Sequence, residues 1–130
     1  MTTPDPATVH AAAAAIVDAF AHTDAERYFA RFAPDATFVF HPEPRRLDDR
    51  AEYERLWAEW VATGWRVASC TSTDAHVQVF DGGAVFTHTV DTSVETADGP
   101  ESYRERETIV FATRDDRLVA IHEHLSPFAG

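Results

Sequence analysis

RETIVFATRDDRLVAIHEHLS, residues 106–126, sets two runs rich in β-branched and aromatic residues on either side of the polar connection Arg114–Arg117. Each run has the length of a strand, and so short a polar link joins neighbouring strands antiparallel. The same grammar extends upstream. WRVASCTSTDAHVQVF (65–80), AVFTHTVDTSVE (84–95) and ESYRERETIVFAT (101–113) are separated by DGG (81–83) and ADGP (97–100). With LVAIHEHLS (118–126), these segments predict a four-stranded antiparallel meander from Trp65 onward.

Before Trp65 the period is helical. Asp5 is placed to cap a helix with Pro6 at its first position, and Val9, Ala13, Ile16, Val17 and Phe20 then recur on one face. A short second helix follows Asp24, with Tyr28, Phe29 and Phe32 as its apolar side, and Ala33–Asp35 closes it. ATFVF (36–40) reads as a brief strand, ended by HPEP (41–44), whose prolines prevent regular pairing. Asp49 and Glu52 have capping-box spacing for a third helix striped by Tyr53, Leu56, Trp57, Trp60 and Val61, and Gly64 stops it. Helices first and a meander second predict a single α+β domain over 1–130, with three helices on one face of a curved sheet.

Charge narrows the partners. The formal charge is −11, and all eleven bases are arginine. Such an excess of acid repels phosphate backbones and anionic lipid, so neither nucleic acid nor membrane is an expected partner. No apolar run reaches the ~20 residues of a bilayer span, and the N-terminal stretch has no basic-then-apolar leader. One cysteine, Cys70, allows no internal disulfide, and a reducing bacterial cytoplasm is the expected location.

The element order resembles the nuclear transport factor 2-like superfamily, also called cystatin-like, nearly end to end. Within it, residues 106–126 look like the SnoaL-like group and the association (hub) domain of calcium/calmodulin-dependent kinase II. The shared features are Thr108 with Phe111, the acidic pair Asp115 and Asp116, and the ending His122, His124, Ser126. The resemblance implies a cone-shaped sheet of four long strands plus one short strand, a pocket, and pairing of two copies. It implies no cofactor, and since this fold serves enzymes and adaptors alike it does not decide activity. Thr89, Ile109 and Leu125 stand where the kinase hub carries carboxylate-binding arginines, so that anion pocket is not carried over; Leu118 stands where relatives usually have tryptophan.

Strict alternation puts His122, His124 and Ser126 on one strand face with Leu118 and Ala120, and Val119, Ile121, Glu123 and Leu125 on the other. Either set can face inward, and a bulge would reverse the parity; the histidines are taken to line the cavity mouth. The His-x-His pair is a possible metal fragment with His88 or Glu123 as a third ligand. With no second compact ligand cluster in the sequence, the expectation is no metal.

Acid–base chemistry is the stronger option, because histidine titrates near neutrality and a buried carboxyl can be tuned to join it. The candidates are His88, Asp91, His122 and His124, with Glu107 beside them. Trp57, Trp60, Tyr103, Arg106 and Ser126 are candidate ligand contacts, although aromatics spaced three apart on a helix are more often core. The expected function is a pocket for a small, largely apolar metabolite with possible cofactor-free isomerase, dehydratase or cyclase chemistry. The alternative is a non-catalytic ligand-binding or dimerisation module. Apolar residues in both parities of the last two strands point to a homodimer through the outer sheet face.

Overall fold

A computed structural model describes residues 2–128. Helix α1 spans Pro6–Ala21, where Asp5 accepts a hydrogen bond from the Ala7 amide and so satisfies one of the unpaired first-turn donors. Its Val9, Ala12, Ala13, Ile16 and Ala19 are buried, so the small residues of the alanine run bring the helix close to the sheet. Helix α2 is Ala25–Phe29, capped by Asp24. Strand β1 is Phe32–Phe40 and helix α3 is Arg50–Ala62, capped through the 2.8 Å bond from the Glu52 amide to Asp49. Gly64, at φ +100°, turns the chain out of α3.

The strands β2 (Arg66–Phe80), β3 (Gly83–Thr96), β4 (Gly99–Arg114) and β5 (Arg117–Pro127) form the expected antiparallel meander. Asp115 and Asp116 both take positive φ, the hairpin geometry whose twist matches that of the flanking strands. The fold is α+β, with the five strands ordered β1-β5-β4-β3-β2.

Two details differ from the sequence reading. Strand β1 starts at Phe32, four residues before Ala36, so Phe32 belongs to the sheet and not to α2. Pro34 falls where the β1–β5 register shifts, between Phe32 and Thr37, which is where a strand tolerates a residue without an amide donor. This strand pairs parallel to β5, closing one edge of the sheet with a long connection in place of a hairpin.

The second difference decides the site. Phe111 pairs with Ala120 and Val110 with His122, so Ile121 is an extra residue in β5. Beyond this bulge the alternation restarts. Glu123 pairs with Ile109 and Leu125 with Glu107, both on the helix-covered face, whereas His122, His124 and Ser126 pair with Val110, Thr108 and Arg106 on the outer face. Glu123 is buried and His124 exposed. The expectation that the histidines line the cavity mouth is therefore corrected: one inserted residue splits them from Leu118 and Ala120 and turns Glu123 inward.

Between helices and sheet lies an aromatic core. Tyr28 stacks on Trp57 with ring centroids 5.0 Å apart, and Tyr53 meets Phe38 edge-on at 4.7 Å. Tyr28, Phe32, Phe38 and Phe111 are almost wholly excluded from solvent. Offset and edge-to-face contacts of this kind add about 0.5–1.5 kcal/mol per pair beyond the burial itself.

Candidate functional site

A cavity of about 360 Å³ opens where α1, α3 and the 41–43 loop face β3, β4 and β5. Phe20, Trp60, Trp65 and Tyr103 contribute rings to its wall, and Tyr28, Tyr53, Glu107 and Glu123 supply polar groups deeper in. Elements that are remote in sequence meet here because β4 and β5 are neighbours in the sheet and α3 turns Tyr53 and Trp60 to the same cavity.

Glu107 and Glu123 are 7% and 3% exposed and hydrogen-bond to one another. Two buried carboxyls in contact cannot both be ionised without strong repulsion, so the pair holds a proton. Burial raises both above the ordinary carboxyl range. For Glu123 the charge of Glu107 pushes further in the same direction, whereas the bond from Glu123 favours the ionised form of Glu107. The proton accordingly resides on Glu123, and Glu107 accepts it.

His88 supports this assignment. Its Nε2 lies 2.6 Å from Glu107 Oε1 and its Nδ1 lies 2.6 Å from Ser72 Oγ. Burial pushes its pKa down to about 4, so the ring is neutral near pH 7. Glu107 can only accept as a carboxylate, which puts the ring hydrogen on Nε2 and leaves Nδ1 to accept from the Ser72 hydroxyl. On the other side, the Tyr28 hydroxyl donates to Glu123 Oε1 at 3.3 Å, and Tyr53 Oη lies 3.0 Å from Tyr28 Oη. Burial raises both phenols well above their usual value, so both stay neutral donors. A hydrogen-bonded chain thus runs Tyr53–Tyr28–Glu123–Glu107–His88–Ser72.

Nearer the mouth, Glu105 is buried and paired with His41 at 2.5 Å. Burial raises the Glu105 carboxyl, and the His41 bond opposes the shift. Cys70 also lines the cavity; burial pushes its thiol up to about 11, which makes it a poor nucleophile at neutral pH.

Of the sequence-derived candidates, Trp60 and Tyr103 line the cavity and His88 backs it through Glu107. Trp57 is core, 3% exposed beneath Tyr28. Asp91 lies on the outer face in an ion pair with Arg104 at 2.8 Å. Arg106 covers the Phe128 ring at 4.1 Å, His122 bonds Thr37 at 2.7 Å, and His124 and Ser126 share that outer surface. Tyr28 and Glu105 were not among the candidates, and Glu123 had been considered only as a third metal ligand. The sequence signal for Glu123 was an acid among apolar neighbours in a strand, concealed by the bulge. Among the described residues, no group of three histidine, cysteine or acidic side chains is arranged to hold a metal ion.

The family model for the SnoaL-like domain matches residues 9–130. The chain belongs to the SnoaL-like domain family. No curated protein matches it. Solved structures similar to this SnoaL-like domain include a Catenulispora acidiphila protein, 18% identical with a TM-score of 0.77, covering 93% of this chain and 89% of that one. The S. rosetta calcium/calmodulin-dependent kinase II hub is 20% identical with a TM-score of 0.78, covering 96% and 98%. A Caulobacter vibrioides protein of cystatin-like fold is 18% identical with a TM-score of 0.77, covering 94% and 88%. At these identities the likeness establishes a shared fold.

Proposed function

We propose that this SnoaL-like domain takes a small, largely apolar molecule into its aromatic cavity and moves a proton at Glu123. The observation that carries this reading is the hydrogen-bonded Glu107–Glu123 pair at an aromatic wall. A neutral carboxylic acid beside an ionised one is the arrangement that general acid–base catalysis needs near pH 7, and desolvation is what keeps the acid protonated. Glu123 is the group placed to give or take the proton. Glu107 is its conjugate partner, His88 positions Glu107, and Tyr28 orients Glu123. Isomerisation, dehydration and cyclisation all require such a step, and none of them needs a cofactor to supply it.

The test is a thermal-shift survey of small apolar compounds followed by crystallography of the stabilised protein. Stabilising compounds should appear in density against Trp60, Trp65 and Tyr103, and Trp60→Ala should lose the shift. A protein that no such compound stabilises, with a cavity holding solvent alone, removes the reading.

A second reading, dimerisation, has its own observation. On the outer face Val85, Val110, Ala112 and Ile121 are only half-buried within the single chain, although they adjoin one another across β3, β4 and β5. A second copy would cover this apolar strip, and self-complementary two-fold pairing is the usual solution. The likeness to a hub domain supports it. The two readings are compatible, since cavity and strip lie on opposite faces of the sheet.

A further inference from the structure

We propose that the molecule this cavity takes is a cationic amine with an aromatic or apolar body, a reading that rests on the cavity being a ligand site. Five carboxyl groups line it: Glu43, Glu101, Glu105, Glu107 and Glu123. Among the described residues no arginine lines it, and the chain has no lysine. Among the described residues His41 is the one lining group able to carry positive charge, and it is engaged with Glu105.

The three ligand charges have different consequences. A carboxylate would add negative charge to a wall whose one described basic group, His41, is already engaged with Glu105. A neutral molecule would displace water from the carboxyls and leave the ionised ones poorly solvated, which is costly in a confined space. An ammonium group offers several N–H donors to acceptor oxygens and compensates their charge. The wall is suited to the rest of such a molecule. Trp60 and Trp65 sit 5.2 Å apart with rings inclined at 54°, and Phe20 is 6.2 Å from Trp65. The faces of such rings attract cations as well as apolar bodies.

Binding should also displace a proton. The Glu107–Glu123 pair holds one while the cavity has no cation; an ammonium beside it favours the doubly ionised pair, and the released proton passes to the buffer. Among the described residues the other titratable groups facing the pair are Tyr28 and Tyr53, which stay neutral, His88, which is neutral near pH 7, and the Cys70 thiol, pushed up to about 11 by burial; Glu105 and His41 lie nearer the mouth. Amine affinity therefore rises with pH until the pair ionises unaided.

The experiment is calorimetric titration of the full chain with 2-phenylethylamine, 2-phenylethanol and 3-phenylpropionate, which share a body and differ in head-group charge. The amine is expected to bind at least about tenfold more tightly than the alcohol, with the carboxylate weakest. Heats measured in buffers of different ionisation enthalpy should show proton release for the amine alone. Glu107→Gln with Glu123→Gln should bring amine and alcohol close to parity, and the wild-type comparison decides the matter if that double variant does not fold. Equal binding of amine and alcohol, or preference for the acid, overturns the amine proposal and leaves the pocket standing. Failure of all three to bind at millimolar concentration removes both.

Discussion

The Tyr28 hydroxyl donates to Glu123 at 3.3 Å, joining α2 to β5 across 95 residues of sequence. The bond fixes the orientation of a carboxyl that burial keeps protonated. Removing that hydroxyl in Tyr28→Phe leaves Tyr53 and Glu123 each short of a buried partner. The expected loss is about 1–3 kcal/mol by urea denaturation. The Tyr53→Phe change should cost less, and a double-mutant cycle between Tyr28 and Glu123 should give a non-zero coupling. Strict additivity would show that the contact is not energetically formed.

Glu123→Gln should stabilise the protein, and increasingly so as pH rises. A carboxyl whose folded pKa is raised binds more protons folded than unfolded, so it weakens the fold as pH climbs from its unfolded value, near ~4.3, towards its folded one. Glutamine imitates the protonated acid and escapes this penalty. The difference in unfolding free energy between variant and wild type should therefore be small near about pH 5 and larger near about pH 8. A difference that shrinks with rising pH would reverse the assignment of the proton to Glu123.

Gly83→Ala should be strongly unfavourable for a steric reason. A methyl group there would lie 2.5 Å from the Phe111 carbonyl oxygen and 2.8 Å from the Phe80 ring, and the carbonyl belongs to a sheet that cannot yield locally. Overpacking of this kind costs roughly 1–3 kcal/mol. Gly64→Ala meets nothing within 4 Å, but its φ of +100° makes alanine strained there, at about 1 kcal/mol. Thermal melts of both variants would separate the two causes, because only at Gly83 should trimming the Phe80 ring recover part of the loss.

Sedimentation at micromolar concentration should report about twice 14.5 kDa if the outer sheet strip joins two copies. Val110→Asp with Ile121→Asp would put charge into that strip and should return the mass to a single chain with the helical signal intact. A wild-type protein that stays monomeric defeats the dimer reading.

The layered architecture was legible because its signals are local. Asp5 with Pro6, Asp49 with Glu52, and the turns at 81–83, 97–100 and 114–117 each act over a few residues, and the elements follow from them. The parallel β1–β5 pairing was not, since nothing within Ala36–Phe40 specifies a partner 85 residues away. The site was only half visible. Trp60 and Tyr103 were singled out for their chemistry, and His88 for its company, but Glu123 was assigned to the wrong face. Alternation is reliable only while the strand stays regular, and the register shift at Ile121 belongs to the pairing of two strands, not to either sequence alone.

That shift gives β5 an uneven tolerance to changes in length. Deleting Ile121 would iron out the bulge, yet Ala120 would still face Phe111 and Glu123 would still face Ile109, so the carboxyl would keep its place in the cavity. Inserting a second residue there would do the opposite, carrying His122 and His124 inward and expelling the acid. Which chemistry this strand presents to the cavity is thus governed by how many residues separate Ala120 from Glu123, and gain of one residue would exchange a carboxyl wall for an imidazole one.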